Sequence, residues 1–386
     1  MANHNSFLER LWEVFPRWVF LVGKFADPEL KIKDKTLRVF IPDLHWLSAA
    51  ALERYPKHYG FTGNSRLPNG KPLFAAFLRV LEELHEDEPE KLEIYQLGDA
   101  YDFWREMTFR EEMNFTEEDA KKAYQRIRQD PVIGPLTDWL EHLDTTYVVG
   151  NHDHWLPQVV PPATRKGVRI KVKKEDVAAN GKIRLSHGHE YDVVEMGLSN
   201  DIKASFVHAC TRLKQSLHKI GVFSKKSTDG IQTVLKLRER PGFRKDFYPT
   251  VEPDGAYPID QAADIDLVEA KYTTSLDISG FSKTPGSAND FDHISYLNFA
   301  DQIVASEDND PKDHSVHVIG HTHQARLLVD RIKPDNRPHV TLDCGGWLGL
   351  CSVFLKGKTE TISVPSAQIG VQYGNDIRIY QLGSVE

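Results

Sequence analysis

Short apolar runs separated by polar stretches dominate the pattern of the chain and predict buried β-strands. The runs read LRVFIP from Leu37, LEIYQL from Leu92, TTYVV from Thr145 and KIRLS from Lys182, and a later run, SVHVI, begins at Ser315. A continuous apolar run of this length, bounded by turn residues, is typical of a strand buried on both faces. We therefore expect these runs to form the centre of a sheet.

Helical periodicity fills the spaces between the first strands. Thr116 precedes three acidic residues, which indicates a helix start, and Pro131 ends or restarts that helix. Two further helices are predicted from apolar residues at helical spacing. These residues are Leu73, Phe77, Leu78, Leu81 and Leu84 in the earlier helix, and Trp139, Leu140 and Leu143 in the later one. Alternation of strand and helix predicts crossover units in a layered α/β fold.

The chain after Val316 is rich in β-type patterns. Its candidate strands read HVTLDCGGWLG, SVFLKG, TETISVP and IRIYQLG. A second sheet formed there and packed on the first would give a β-sandwich flanked by helices.

The alternation is lost between His189 and Gly320. Residues 203–245 are strongly basic and carry apolar residues at helical spacing, whereas residues 252–269 are acidic. We expect a mainly helical, basic insertion over 196–312 that lies over a functional site and steers an anionic substrate. The alternative is an ordinary solvated helix face.

The N-terminal residues 7–25 are aromatic but are interrupted by charged residues, so they do not resemble a secretory signal. We expect a helix packed on the domain or in a dimer interface. The alternative is an interfacial membrane anchor through Trp12, Phe15, Trp18 and Phe20. The expected organisation is an N-terminal helical and aromatic extension (1–36), a first half of the core (37–195), the insertion (196–312) and a second half of the core (313–386).

Composition narrows the class of protein. The 386 residues are 40% hydrophobic and 27% charged, as in ordinary globular proteins, and the net charge of −8 disfavours nucleic acid as a partner. The three cysteines are too scattered for a disulfide framework or a thiolate metal site, and no apolar run approaches the ~20 residues that span a bilayer. The cysteines are Cys210, Cys344 and Cys351. We expect a cytoplasmic protein.

Potential metal ligands follow each of the five apolar runs. The carboxyl ends of parallel strands meet at one edge of a sheet, so these donors should converge there. Imidazole, carboxylate and amide oxygen without thiolate suit a borderline or hard divalent ion better than a structural zinc. The blocks are Asp43-Leu-His45, Gly98-Asp99, Gly150-Asn151-His152-Asp153, His187-Gly188-His189 and Gly320-His321-Thr322-His323.

The order and spacing of these blocks, with Asp102 three residues after Asp99, resemble the calcineurin-like metallophosphoesterases. The resemblance implies an α/β fold, a four-layer double β-sandwich flanked by helices, here with a helical insertion. It also implies two metals bridged by Asp99. Carried over by position, the first metal would be held by Asp43, His45, Asp99 and His323. The second would be held by Asp99, Asn151, His187 and His321.

The same resemblance gives His152 the role of proton donor or charge stabiliser, with Asp153 orienting it. The strings GDAYDFW and HGHEYDVV are similar to the branch of UDP-diacylglucosamine pyrophosphohydrolases. That branch commonly has Arg where His152 stands and Asp where His189 stands, and many family members carry Arg where Phe103 follows Asp102. We expect His189 to be a hydrogen-bonded histidine beside the ligands; the alternative is an extra ligand or substrate contact.

Other polar and aromatic residues near the blocks are expected to be structural. His154 stands beside Trp155 and is predicted to pack rather than to bind metal. Tyr101, Phe103 and Trp104 are predicted to pack in their loop rather than to stack on a substrate.

The sequence therefore predicts a dinuclear metal-dependent phosphohydrolase that acts on a small anionic phosphate ester. Manganese is the expected metal, with iron and zinc as alternatives. Alternative functions are a nucleotide-sugar or lipid pyrophosphohydrolase, a non-catalytic metal-binding scaffold, and a mononuclear zinc hydrolase. Oligomeric state and membrane contact through the N-terminus stay open.

Overall fold

The computed structural model describes residues 4–15, 19–53, 61–106, 116–160, 171–173, 175–189, 257–258, 314–321, 323, 325–332, 337–348, 350–354 and 361–383. The helical and basic character predicted for 196–312 lies outside the described residues, apart from the two residues at 257–258.

The described strands are, in chain order, β1 (Val19–Ala26), β2 (Leu37–Ile41), β3 (Leu92–Gln96), β4 (Thr146–Val148), β5 (Lys171–Lys173), β6 (Asp176–Ala178), β7 (Ile183–Leu185), β8 (Tyr257–Pro258), β9 (Val316–Ile319), β10 (Ala325–Ile332), β11 (Arg337–Cys344), β12 (Leu350–Phe354), β13 (Thr361–Pro365), β14 (Gln368–Tyr373) and β15 (Asp376–Leu382).

The described helices are α1 (His4–Val14), α2 (Ala49–Leu52), α3 (Leu73–Asp87), α4 (Phe103–Glu106), α5 (Glu117–Gln129), α6 (Ile133–His142) and α7 (Leu156–Val159). Short 3-10 turns lie at Pro28–Leu30, Thr62–Asn64, Pro89–Lys91 and Ala179–Gly181.

Two main sheets organise the described part of the chain. The large sheet has eight strands in the order β5-β4-β3-β2-β14-β15-β1-β8, and the small sheet has five in the order β10-β11-β9-β7-β6. Strands β2 to β5 are parallel, and so are β7, β9 and β11. Strands β12 and β13 form a separate antiparallel pair. The mixed α/β class predicted from the sequence is confirmed.

All five apolar runs form strands, as predicted: β2, β3, β4, β7 and β9. Helix α3 confirms the prediction from Leu73 to Leu84. Thr116 caps α5 in a capping box with Asp119, and the break at Pro131 separates α5 from α6. The local signals at these positions were sufficient because capping and periodicity agree with the tertiary packing.

The large sheet is buried on both faces, which explains its continuous apolar strands. Val39 and Ile41 pack into a core with the helices, whereas Phe40 points into a second core between the two sheets. Val318 of β9 and Leu342 of β11 face Phe40 from the small sheet. Helices, large sheet and small sheet therefore form three successive layers. The described helices α1 and α3 to α7 contribute to the first core, so the fourth layer stays a prediction.

The N-terminal residues form a helix and then a strand. Phe7, Leu11 and Phe15 are fully buried against the helix-side core, which agrees with a helix packed on the domain. The expectation of helix through residue 25 is wrong, because β1 pairs antiparallel with β15 in the large sheet. A headgroup role for Phe15 is also wrong, because its side chain is inside the core. No described helix has both the length and the apolar content to cross a membrane.

The C-terminal strands do not form one sheet. Strand β15 was expected in a second sheet, but it belongs to the large sheet, where β14 lies between β15 and β2. Neither β10 nor β14 was predicted. Strand β10 pairs antiparallel with the next strand, β11, and β14 pairs both with the next strand, β15, and with the distant β2. Strand formation depends on packing against such neighbours more than on intrinsic preference, which explains why periodicity did not reveal these two strands. Cys344, at the end of β11, is a buried free thiol.

Candidate metal centre

The five ligand blocks converge at one edge where strands of both sheets end. The blocks after β2 and β3 are joined by backbone hydrogen bonds, since the N–H groups of Leu44 and His45 donate to the carbonyl of Asp99 at 3.1 and 2.8 Å. In the small sheet the N–H of Gly320 donates to the carbonyl of His187 at 3.0 Å. The loops that carry the side chains are thus held by one another.

A first group of ligand atoms lies around Asp43. Its Oδ2 is 3.0 Å from His323 Nε2 and 3.8 Å from His45 Nε2, and the two Nε2 atoms are 3.0 Å apart. A metal bound ~2.0–2.2 Å from each donor would place the donors roughly 3–3.6 Å apart. Two of the observed spacings lie in this range and the third, between Asp43 Oδ2 and His45 Nε2, is slightly longer, so these three side chains could hold one cation.

A second group lies on the other side of Asp99. Asp99 Oδ2 is 3.3 Å from His187 Nε2 and 3.4 Å from His45 Nε2. Asn151 Oδ1 lies 3.0 Å from His187 Nε2. Asp99 therefore stands between the two groups, at the position expected of a shared carboxylate.

His321 adjoins this second group less closely. The centre of its ring is 5.1 Å from that of His187, and its backbone N–H donates to Asp43 Oδ1 at 3.0 Å. Close sets of three ligand atoms, all within 4.8 Å, are formed by other residues. These sets are Asp43 with His45 and His323, Asp43 with Asp99 and His187, and His45 with Asp99 and His152.

The imidazole hydrogen bonds favour metal binding at the Nε2 atoms. His45 Nδ1 is 3.0 Å from Asp102 Oδ2, and His187 Nδ1 is 2.8 Å from the carbonyl of Leu97. Because a carbonyl or a carboxylate can only accept, each Nδ1 carries the proton. The Nε2 lone pairs then face Asp43 and Asp99. Metal-binding histidines usually have this arrangement.

Buried negative charge is concentrated at the site. Asp43, Asp99 and Asp102 are almost completely buried. Burial by itself raises the pKa of Asp43 and Asp99, yet the charges and hydrogen bonds of His187 and the other neighbouring histidines together outweigh it, and the pKa of each falls below its ordinary value. Burial opposes protonation of His45 and His187, but carboxylates raise their pKa to about 9 and about 10. Buried carboxylates need compensating positive charge, which protons or metal ions can supply.

The backbone is strained at the candidate ligands. His45, Asp99, His321 and His323 have φ of 46°, 51°, 70° and 58°, in the left-handed region that side chains other than glycine rarely adopt. Such residues cost on the order of 1–3 kcal/mol each and persist where the surrounding structure requires them. Four strained residues in one cluster indicate that side-chain placement there outweighs local backbone preference.

Two glycines allow the loops to approach one another. A Cβ at Gly150 would lie 2.1 Å from Asp99 Oδ1, and one at Gly320 would lie 2.3 Å from Asp43 Oδ1. Glycine at these positions therefore creates the space that the carboxylates occupy.

We expect Gly150→Ala to displace the Asp99 carboxylate. The added Cβ would also lie 2.5 Å from the backbone N of Asp99, which cannot move independently. Overpacking of this kind costs about 1–3 kcal/mol. Thermal unfolding and manganese titration would measure the loss. Gly70→Ala is the control, since no atom lies within 4 Å of the added Cβ. The backbone at Gly70 has a φ of +81°, so alanine there is strained without a collision, and the control separates the two effects. Equal metal affinity in both variants would contradict the prediction.

Asp102, rather than Asp153, orients His152. Asp102 Oδ1 accepts from His152 Nδ1 at 2.9 Å. Asp153 instead accepts the backbone N–H groups of Gly150 at 2.7 Å and Ala100 at 2.9 Å. The predicted role of Asp153 is wrong, because both of its oxygens are used to fix the loop. Its own pKa is raised to about 7 by burial and by the charge of Asp99.

The sequence interpretation missed the double role of Asp102. One carboxylate accepts from both His45 and His152, while Arg105 Nη1 donates to its Oδ2 at 2.5 Å. Arg105 lies one helical turn after Asp102, and this i, i+3 spacing is the sequence signal that could have revealed the pair.

We expect Asp102→Asn to weaken metal binding by about 10–100-fold, the usual effect of losing an orienting partner. The two imidazole N–H groups of His45 and His152 each donate to a different oxygen of Asp102, whereas asparagine has a single acceptor oxygen. Metal titration measures the affinity, and ¹⁵N NMR of the imidazoles in the metal-free protein measures the tautomers. Asp138→Asn, which alters an exposed Asp–Arg pair with Arg128, is the matched control. Unchanged affinity and tautomers would contradict this role.

The remaining predicted residues are placed as follows. The His189 ring lies 5.4 Å from that of His187 and 6.4 Å from that of His321, beside the candidate ligands. The ring centres of His154 and Trp155 are 3.6 Å apart with the planes tilted by 37°, in agreement with a packing role for His154. Tyr101 and Phe103 are buried and stacked on each other, so their packing role is confirmed. The side chain of Trp104 lies outside the described part of the structure.

Comparison with known proteins adds no family assignment. No protein-family model matches the chain, and no curated protein sequence matches it. The functional interpretation therefore depends on the residues of the site.

Proposed function

We propose that this protein is a dinuclear metal-dependent phosphohydrolase that cleaves a small anionic phosphate ester. The observation that carries the proposal is the position of Asp99, with one carboxylate oxygen 3.4 Å from His45 Nε2 and 3.3 Å from His187 Nε2. A carboxylate shared by two buried ligand groups is what a pair of cations requires.

The donor set supports this assignment. The first cation would be held by Asp43, His45, Asp99 and His323, and the second by Asp99, Asn151, His187 and His321. Manganese, iron and zinc all accept such a mixture of oxygen and imidazole ligands, and we propose manganese first. When bound, two such ions supply an activated water and neutralise charge on the phosphoryl group.

The reaction balances without a further reactant. A water oxygen loses a proton and forms a new bond to phosphorus, the bond from phosphorus to the ester oxygen breaks, and that oxygen takes up a proton, so no proton is gained or lost overall. We assign the proton to His152 Nε2, since its Nδ1 is engaged by Asp102 at 2.9 Å. Burial lowers the pKa of His152 below its ordinary value despite the attraction of Asp102, which makes the ring a ready donor once protonated.

A nucleotide-sugar or lipid pyrophosphohydrolase is the second candidate. The same ligand set would serve it, but His152 and His189 depart from the residues that branch commonly carries. We therefore place a simple phosphate ester first.

The test combines metal analysis with a hydrolysis screen. We expect two metals per chain and manganese-dependent hydrolysis of at least one class among phosphomonoesters, phosphodiesters and UDP-sugars. Release of phosphate or alcohol measures hydrolysis of the esters, and release of UMP measures hydrolysis of the UDP-sugars, which alone would favour the second candidate. One metal per chain would favour a mononuclear hydrolase. Two metals with no turnover of any of these substrates would favour a non-catalytic metal-binding protein and overturn the proposal.

A further inference from the structure

A cavity of about 170 Å³ opens beside the candidate metal centre, and His45 forms part of its wall. A cavity of ~150 Å³ lined by apolar side chains is enough to hold benzene. The other lining residues include Leu47, Leu52, Phe61 and Ile133. Most of this wall is apolar, in contrast to the charged site next to it.

The carboxylate in the wall serves the fold. Asp130 Oδ2 accepts the N–H of Ala49 at 2.8 Å, and Oδ1 accepts the N–H groups of Val132 at 2.9 Å and Ile133 at 3.1 Å. Both oxygens are thus used to join α2 to the start of α6. The walls on these two sides are held in place, and the contacts they offer are mainly apolar.

The mouth of the cavity exposes apolar side chains to solvent. Val132 is 51% exposed, and among the described residues the other large exposed hydrophobic is Val177 of β6, at 41%. Ala49 is also exposed and Leu52 is half-buried on the same cavity. A single exposed valine needs no explanation, but an apolar rim on a cavity that shares a wall with a metal ligand is typical of a ligand pocket.

We propose that this cavity receives the organic group of the phosphate ester, and that it selects a group of about the size of a phenyl ring. The inference rests on the proposed function, since the phosphate would lie at the metals. His45 belongs both to the candidate metal site and to the wall of the cavity, so the cavity lies next to the place where the phosphate would be held. The cavity would then determine specificity, as apolar pockets do, at roughly tenfold or more for each well-buried carbon.

The test compares two non-reacting ligands in the manganese-loaded protein. We expect phenylphosphonate to bind at least about tenfold more tightly than methylphosphonate by calorimetry. Val132→Ser, which removes apolar lining at the mouth, should reduce this ratio about threefold or more. Ala49→Trp, which fills the mouth from an exposed position while keeping the backbone N–H to Asp130, should abolish the preference. Val177→Ser, an equivalent change on a distant strand, should leave the ratio as in the wild type.

Turnover provides the second measurement. Benzyl and methyl phosphates both release an aliphatic alcohol, and the ratio of their kcat/KM values should change in parallel with the phosphonate ratio. Equal ratios in wild type, Val132→Ser and Ala49→Trp would overturn the cavity assignment while leaving the hydrolase intact. Absence of turnover of every ester by the two-metal protein would overturn the proposed function. The phosphonate affinity ratios of the wild type and the variants would then still show whether the cavity binds the organic group.

Discussion

An Asp99→Asn variant should lose most of its metal and nearly all of its activity, a fall of at least about 10⁴-fold if two cations are needed for hydrolysis. The change keeps the shape of the side chain but removes the negative charge between His45 and His187. It also weakens the acceptor for the backbone N–H of His152, which donates to Asp99 Oδ1 at 2.8 Å. Metal analysis after gel filtration and manganese-dependent turnover measure the two losses.

The matched control for this change is Asp119→Asn. Asp119 is also nearly buried, but it belongs to the capping box of α5. The control should keep both metals and normal turnover, with at most a reduced melting temperature. If Asp99→Asn hydrolysed substrate at the wild-type rate, Asp99 would not be the shared ligand and the dinuclear proposal would fail.

A His152→Ala variant should keep both metals while turnover falls by about 10²–10⁴-fold, the range expected for a lost proton donor. In the wild type, the rate that depends on protonated His152 should fall as pH rises through the lowered pKa of this ring, because the donor form disappears. The variant should lack that dependence. Metal content and the pH profile of kcat measure the two effects.

The geometry makes this experiment decisive about the role of His152. A ring nitrogen of His152 lies within 4.8 Å of ligand atoms of His45 and Asp99, so the structure also permits metal binding there. Loss of a metal in His152→Ala would show that it is a ligand. His142→Ala, at the exposed end of α6, controls for removal of an imidazole elsewhere.

The strands that carry the site were predictable because each is buried on both faces. All five residues of the run LRVFI in β2 are buried, so the run does not alternate between apolar and polar positions. The neighbouring parallel strand β3 is a similar apolar run. Once the strands are placed, the rule that parallel strands end at a common edge brings Asp43, Asp99 and Asn151 together. The convergence of their side chains therefore followed from local sequence.

The parts that were not predictable depend on contacts between distant residues. Strand β14 contains Gly370, where a Cβ would lie 2.5 Å from Cys344 Sγ, so its place between β15 and β2 is set by close packing on β11. The exchange of roles between Asp102 and Asp153 depends on the path of two loops, and both residues have the same side chain. The residue type therefore could not show which of the two carboxylates contacts His152.

The candidate ligands come from both sheets. Asp43 follows a strand of the large sheet and His323 follows a strand of the small one, yet their side-chain atoms are 3.0 Å apart. Any ion held by both would cross-link the two sheets. Because the unfolded chain does not hold these ligands together, binding of the ion would stabilise the folded state. Loss of metal would then affect more than any activity at the site, since the free energy of unfolding would fall and the protein would become more susceptible to proteolysis.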